Sequence, residues 1–175
     1  GIYTPNITWN NPKELQNLKT SLNLEIHLMT SNPENHIKSW MTNGVKRIIV
    51  HVNKKEDHQK ILNILKLLKD KNIELGIGIE PKVFFEDIKE IIPLGQTVLL
   101  LAVNPGFAGQ EFQPIVLEKI KNLRKFFPNL KIEIDGGINP ETAKECIKSG
   151  ADILVSQNYI FSSNNIKEAI DKLKS

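Results

Sequence analysis

Six times along 175 residues, a short apolar run rich in β-branched residues gives way to a longer stretch with helical periodicity. The strand-like runs are LEIHLM (24–29), VKRIIVHV (45–52), IELGIGI (73–79), QTVLLLAV (96–103), the apolar start of IEIDGGIN (132–139), and ADILV (151–155). Helical stretches are predicted at about 12–20, from Asn32-Pro33-Glu34 to before Gly44, and at 56–72, 83–92, 114–127, 140–149 and 163–174. The strand ends fall near 27, 51, 79, 104, 135 and 156, which is the spacing of a βα unit. A parallel return needs a crossover of this length, so the alternation calls for a parallel sheet. Two architectures satisfy it, a doubly wound open sheet and a (β/α)8 barrel. A complete barrel takes about 200 residues or more, so six units would make an incomplete one. No low-complexity linker divides residues 1–175, and a single domain is expected.

Within this frame the local signals agree. Ile61, Leu62, Ile64, Leu65, Leu67 and Leu68 make one apolar face of the 56–72 helix. QTVLLLAV is apolar enough to be buried on both faces, and LEIHLM and the short run with Ile132 and Ile134 also read as buried strands. Gly76 and Gly78 leave room for a close neighbour. Asn32-Pro33 and Asn139-Pro140 each place a cap before a first-turn proline. Leu15 and Leu18 are expected to face inward from the first helix.

Forty per cent hydrophobic and 25% charged residues suffice for a real core. Net charge is only +3, with Lys and Glu spread along the chain, which argues against a nucleic-acid or membrane surface. Arg47 and Arg124 are the only arginines, so a bound anion would be held by backbone N–H groups more readily than by a guanidinium clamp. Cys146 stands alone in a predicted helix and reads as a buried structural thiol. No apolar run reaches membrane-spanning length, and a cytoplasmic location is expected. The chain opens at Gly1-Ile2-Tyr3 in turn-rich sequence without an initiator Met, from which the expectation is that its natural N-terminus is missing.

The chemistry concentrates in IEIDGGIN. Asp135 ends a strand, Gly136 and Gly137 form a turn able to present backbone N–H groups, and Asn139-Pro140 starts a helix. A strand-end carboxylate beside a glycine turn suits an acid/base group next to an anion site. The same residues also suit an ordinary βα turn.

Three stretches together resemble the ribulose-phosphate 3-epimerases: LEIHLMTSNPE resembles the family's third-strand motif, VNPGFAGQEF its sixth-strand loop, and IEIDGGINPETAKECIKSGADILVS its seventh strand through to the eighth. GIYTPNITW is similar to the segment after the family's second strand, and the likeness runs to about residue 163. It implies an α/β fold of the (β/α)8 TIM-barrel type, incomplete here with strands 1 and 2 absent. It also implies inversion at carbon 3 between D-ribulose 5-phosphate and D-xylulose 5-phosphate. In that family two His and two Asp hold a divalent metal, expected as zinc, iron, manganese or cobalt, and two aspartates pass protons on opposite faces. By resemblance His27 is a metal ligand, and Asp135 is both a metal ligand and one acid/base. The partner His and Asp belong to the second strand, ahead of Gly1. Removing a proton alpha to a carbonyl needs a placed base and an electrophile for the developing oxyanion, and inversion needs a second acid on the far face.

Met29 matches a methionine lining the family's site, or is core filler. His51 matches a strand-end histidine and reads as structural or as a support for a ligand, while His36 and His58 read as solvated. Gly106, Phe107 and Gly109 match a mobile loop over the substrate, in which Ala108 replaces a glycine. Leu101 stands where a methionine is common. Gln157 and Asn158 stand in SQNY where the family has a Gly-Ser pair that holds phosphate with Gly136 and Gly137; Gln157 lacks glycine's access to positive φ and adds bulk. The resemblance thus implies an isomerase that binds a small sugar phosphate and no nucleic acid or membrane, with a homo-oligomer expected for the full-length protein. The 175 residues alone are expected to be inactive, and exposed edges at LEIHLM and ADILV are expected to promote association. A non-catalytic sugar-phosphate-binding paralogue and a related hexulose-phosphate 3-epimerase remain alternatives.

Overall fold

The computed structural model describes residues 9–42, 44–107 and 109–174. Most of the opening stretch GIYTPNITW, and Ala108 of the glycine loop, lie outside the described residues. Packing divides the chain into two compact units, residues up to 78 with 84–97, and residues 79–83 with 98 onward.

The first unit carries α1 (Pro12–Gln16), β1 (Leu24–Leu28), α2 (Ile37–Trp40), β2 (Val45–His51), α3 (His58–Lys69), β3 (Glu74–Ile79) and α4 (Phe85–Ile88). β2 lies between β1 and β3, parallel to both. Ile48, Ile49 and Val50 of β2 are fully buried, as are Ile61, Ile64 and Leu68 of α3. Each such side chain contributes roughly 1.5–3 kcal/mol of burial free energy. At the amino ends of the three strands, the Arg47 guanidinium donates to Glu25 and Glu74, tying β2 to both neighbours. Gly76 has no room for a side chain: a Cβ there would stand 2.6 Å from Ile49 Cγ1.

Several expected elements are shorter. α1 stops at Gln16, so Leu15 is half-buried and Leu18 is 52% exposed; a five-residue helix presents no continuous stripe to bury. The stretch after Asn32 splits into a 3-10 turn, Pro33–Asn35, and the single turn α2, and Asn32 makes no side-chain cap bond. The helix expected at 83–92 ends at Ile88, with a further 3-10 turn at Ile92–Leu94 around Pro93, which has no N–H to continue a helix.

The second unit carries β4 (Thr97–Leu101), α5 (Ile115–Phe126), β5 (Lys131–Asp135), α6 (Pro140–Ser149), β6 (Ile153–Val155), α7 (Asn158–Phe161) and α8 (Ile166–Leu173). β5 lies between β4 and β6, and Asp135 pairs in register with Val155. Every residue of β4 is buried, as its uninterrupted apolar run requires. α6 has the expected bounds: Asn139 Oδ1 accepts from the N–H groups of Glu141 and Thr142, Thr142 Oγ1 accepts from the Asn139 N–H, and Gly150 closes the helix at φ 114°. Cys146 on α6 is fully buried, and burial pushes its thiol up to about 11, with Glu145 adding to the shift. α7 was not expected from the pattern; it separates β6 from α8, whose start Asn165 caps through Glu168 N–H.

LEIHLM, read as a buried strand, is with ADILV the least buried of the six. In β1 only Leu28 is buried and Glu25 is exposed, and all three residues of β6 are half-buried. Among the described residues each pairs with one neighbouring strand.

Candidate active site

The residues singled out by sequence sit at the carboxyl ends of strands or just beyond, and each unit carries its own group. In the first unit His27 is next to last in β1 and His51 is last in β2. Because His27 pairs in register with Ile49, His51 lies two residues further along β2 on the same face. Their Nε2 atoms are 2.7 Å apart, with ring planes 11° from parallel and centroids 4.9 Å apart. The centroid separation exceeds the nitrogen contact by about the two ring radii, so the rings meet tip to tip, not face to face. This is an N–H···N hydrogen bond in which one ring donates and the other accepts.

Both rings are neutral at neutral pH. Burial pushes His27 down to about 3, with His51 adding to the shift, and burial pushes His51 down to about 4, with Lys60 adding. His51 is only 4% exposed, and it fits because its register partner is Gly78, where a Cβ would meet the imidazole at 2.9 Å. The room foreseen at Gly78 is room for this ring. Met29, just past β1, is half-buried, His36 is exposed and His58 opens α3 half-buried.

In the second unit Asp135 ends β5 half-buried, and its backbone carbonyl accepts from Ala102 N–H at 2.7 Å. Gly136 and Gly137 follow at φ 111° and 64°, conformations that L side chains rarely adopt. Space excludes side chains there as well. A Cβ on Gly136 would stand 2.6 Å from Val103 Cγ2, and one on Gly137 would stand 2.7 Å from the backbone nitrogen of Phe112. Val103 and Phe112, at the two ends of the glycine loop, therefore pack directly on the Gly136-Gly137 turn. Gln110 shapes that loop, its Nε2 donating to the carbonyls of Asn104 and Phe107, both at 2.8 Å. Phe107 is 63% exposed, and Gly106 and Gly109 both have positive φ. Asn158 Nδ2 lies 3.9 Å from where a Cβ of Gly109 would be, so the first residue of α7 joins the group. Gln157 is exposed at φ −98°, ψ −59°, an ordinary right-handed conformation.

The structure thus brings together His27 with His51, and separately Val103 and Phe112 with Gly136 and Gly137, and Asn158 with Gly109. His27 and Asp135 belong to different units. Imidazole nitrogen and carboxylate oxygen are donor types that suit a first-row divalent cation. Among the described residues no three or more His, Cys, Asp or Glu side chains are grouped as a metal site.

Both arginines act within the fold. Arg124 donates to the carbonyls of Pro128, Leu130 and Gly150 and pairs with Asp152. Sequence reasoning missed Lys119, whose half-buried ammonium donates to the carbonyls of Glu80, Pro81 and Val83 and pins the segment leaving β3. Burial lowers its pKa. It also missed the clasp made by Gln110. Neither residue has a local pattern that announces its partners.

Comparison with solved structures defines the class. A 3-hexulose-6-phosphate synthase matches over 83% of this chain and 68% of that chain with a TM-score of 0.60 at 15% identity. A mutant tryptophan synthase α-subunit from Pyrococcus furiosus matches over 93% of this chain and 69% of that chain with a TM-score of 0.64, also at 15% identity. At such identities the likeness shows the fold alone, an incomplete (β/α) barrel with six βα units. The family is shown by sequence. The model of the ribulose-phosphate 3-epimerase family matches residues 1–161, and the chain belongs to that family, one of isomerases. The ribulose-phosphate 3-epimerase of Chlamydia muridarum is 37% identical over 180 residues, covering 97% of this chain and 77% of the relative. That of Helicobacter pylori strain J99 is 35% identical over 181 residues, covering 99% and 81%. No described helix is long and apolar enough to cross a membrane.

Proposed function

We propose that this chain carries one side of the machinery that interconverts D-ribulose 5-phosphate and D-xylulose 5-phosphate by proton transfer at carbon 3. The observation that carries the reading is Asp135, a carboxylate at the end of β5 followed at once by two glycines whose φ values and neighbours allow no side chain. In this reading Asp135 takes or returns the carbon-3 proton on one face of the substrate. The Gly136-Gly137 turn and Asn158 receive the phosphate, and Phe107 covers it and excludes water. By family resemblance His27 and Asp135 are each read as a ligand of a divalent cation, which would supply a Lewis acid for the developing oxyanion. By family resemblance the acid for the opposite face and the remaining two ligands are a second-strand His and Asp that residues 1–175 do not include, so these residues alone are proposed to be inactive.

The test is to assay residues 1–175, and the same sequence extended by strands carrying that His and Asp, with D-ribulose 5-phosphate and each of zinc, iron, manganese and cobalt. Turnover is expected from the extended chain only, with Asp135→Asn lowering it by about 10²–10⁴-fold. Turnover by the short chain contradicts the two-base reading. Sugar-phosphate binding without turnover by the extended chain favours a binding protein.

A further inference from the structure

Two hydroxyls from different elements converge on the backbone just after the Gly136-Gly137 turn. Thr142 Oγ1, in the first turn of α6, donates to the Gly137 carbonyl and accepts from the Asn139 N–H, both at 3.0 Å. Ser156 Oγ, just past β6, donates to the Ile138 carbonyl at 2.8 Å. Both peptide groups that flank Ile138 are therefore fixed. In a trans peptide the N–H points opposite to the C=O, so with the Gly137 carbonyl turned to Thr142 the Ile138 N–H points away from α6. Among the described residues that N–H donates no hydrogen bond, although Ile138 is only 4% exposed. A donor so placed calls for an acceptor. The start of α6 offers no donor in its stead: Pro140 has no N–H, and Asn139 Oδ1 takes those of Glu141 and Thr142.

We infer that the Ile138 N–H donates directly to the anionic group of the substrate, and that Thr142 and Ser156 are the positioning residues that aim it. The inference rests on the proposed reading of the Gly136-Gly137 turn as the phosphate site. The N–H and the C=O of one peptide lie along the same line, so the hydroxyls decide which of them faces the anion. Without the Thr142 hydroxyl neither the Gly137 carbonyl nor the Asn139 N–H keeps its partner. A rotated Gly137-Ile138 peptide would then set a carbonyl oxygen against the phosphate oxygens. Ser156 makes the same choice for the next peptide, and because it stands at the end of β6 it ties that choice to strand pairing.

Titrating the ¹⁵N-labelled protein, residues 1–175, with inorganic phosphate and following its backbone amides tests this. The Ile138 amide proton is expected to move downfield and to saturate. Thr142→Val keeps the shape and loses the hydroxyl; it should weaken phosphate binding by at least about 10-fold, and Thr142→Ser should restore it. Ser156→Ala, on another element, makes the same test independently and should also weaken binding. Phosphate bound by both Thr142→Val and Ser156→Ala as tightly as by the native protein overturns the inference and leaves the phosphate reading of the turn standing. So does phosphate that moves the Gly137 amide and not that of Ile138. A response confined to Glu141 and Thr142 assigns the anion to the helix start and overturns both, as does no saturable shift at Gly137 or Ile138.

Discussion

The first unit builds its strand-end group from side chains, and the second builds its own from backbone. At the end of β1 and β2 a half-buried imidazole, His27, meets a buried one, His51, and a glycine, Gly78, makes room for the second. At the end of β5 the glycines are demanded twice over, by positive φ and by the backbone of Phe112 lying where a side chain would be. The same residue type thus answers two different constraints. A side chain that is in the way can be removed by a second substitution, whereas backbone cannot.

The largest expected effect separates the units by pH. Both histidines have folded-state pKa values below the ordinary 6.5, near 3 and 4. Below pH 6.5 the unfolded chain takes up protons that the folded chain refuses. Stability is therefore full above about pH 6.5 and declines until pH reaches 4 to 3, with a slope approaching about 1.4 kcal/mol per pH unit for each imidazole. Urea midpoints of the metal-free protein between pH 7.5 and 4.5 measure this. If a His27→Leu/His51→Phe double variant shows the same slope, the buried pair is not its source.

Next comes Gly137→Ala, which should cost about 2–4 kcal/mol from the left-handed φ and the crowding together. Phe112→Ala should not rescue it, because the nearest obstacles are the nitrogen and Cα of residue 112. Gly78→Ala should cost less, about 1–3 kcal/mol, and here pairing with His51→Ala should recover part of the loss as a favourable coupling of about 0.5–3 kcal/mol. Rescue at Gly137, or none at Gly78, would erase the distinction between the two units. The smallest effect should be Asn139→Ala, about 1 kcal/mol for the lost cap of α6, read from the same urea curves. A loss well above that would mean the cap also holds the Gly136-Gly137 turn, to which Thr142 Oγ1 already donates at the Gly137 carbonyl.

Where the sequence carried its own instructions, the elements came out as read. α6 begins at Pro140 after Asn139 and ends before Gly150 because cap, proline and glycine act within one helix and need no distant partner. The same motif at Asn32-Pro33 produced only a 3-10 turn and a single helical turn, since a cap fixes where a helix starts and not whether packing sustains it. Leu18 and the edge strands show the same limit: an apolar residue is buried only where another element arrives to cover it.

The candidate site divides along that line. Asp135, Gly136 and Gly137 were legible because strand, acid and turn are contiguous, and Gly76 and Gly78 announced that something came close. That the neighbours were Ile49 and His51 was decided by strand register, which sets residues 27 apart in the chain side by side. The sequence by itself determined the βα alternation, the strand-end positions of His27 and Asp135, and the glycine turn, because these depend on local period and backbone preference. The tertiary structure alone decided that His51 meets His27 tip to tip, that Phe112 lies against Gly137, and that Lys119 holds three carbonyls after β3. Those contacts depend on which strands pair and in what register, a property of long-range packing that no local pattern encodes.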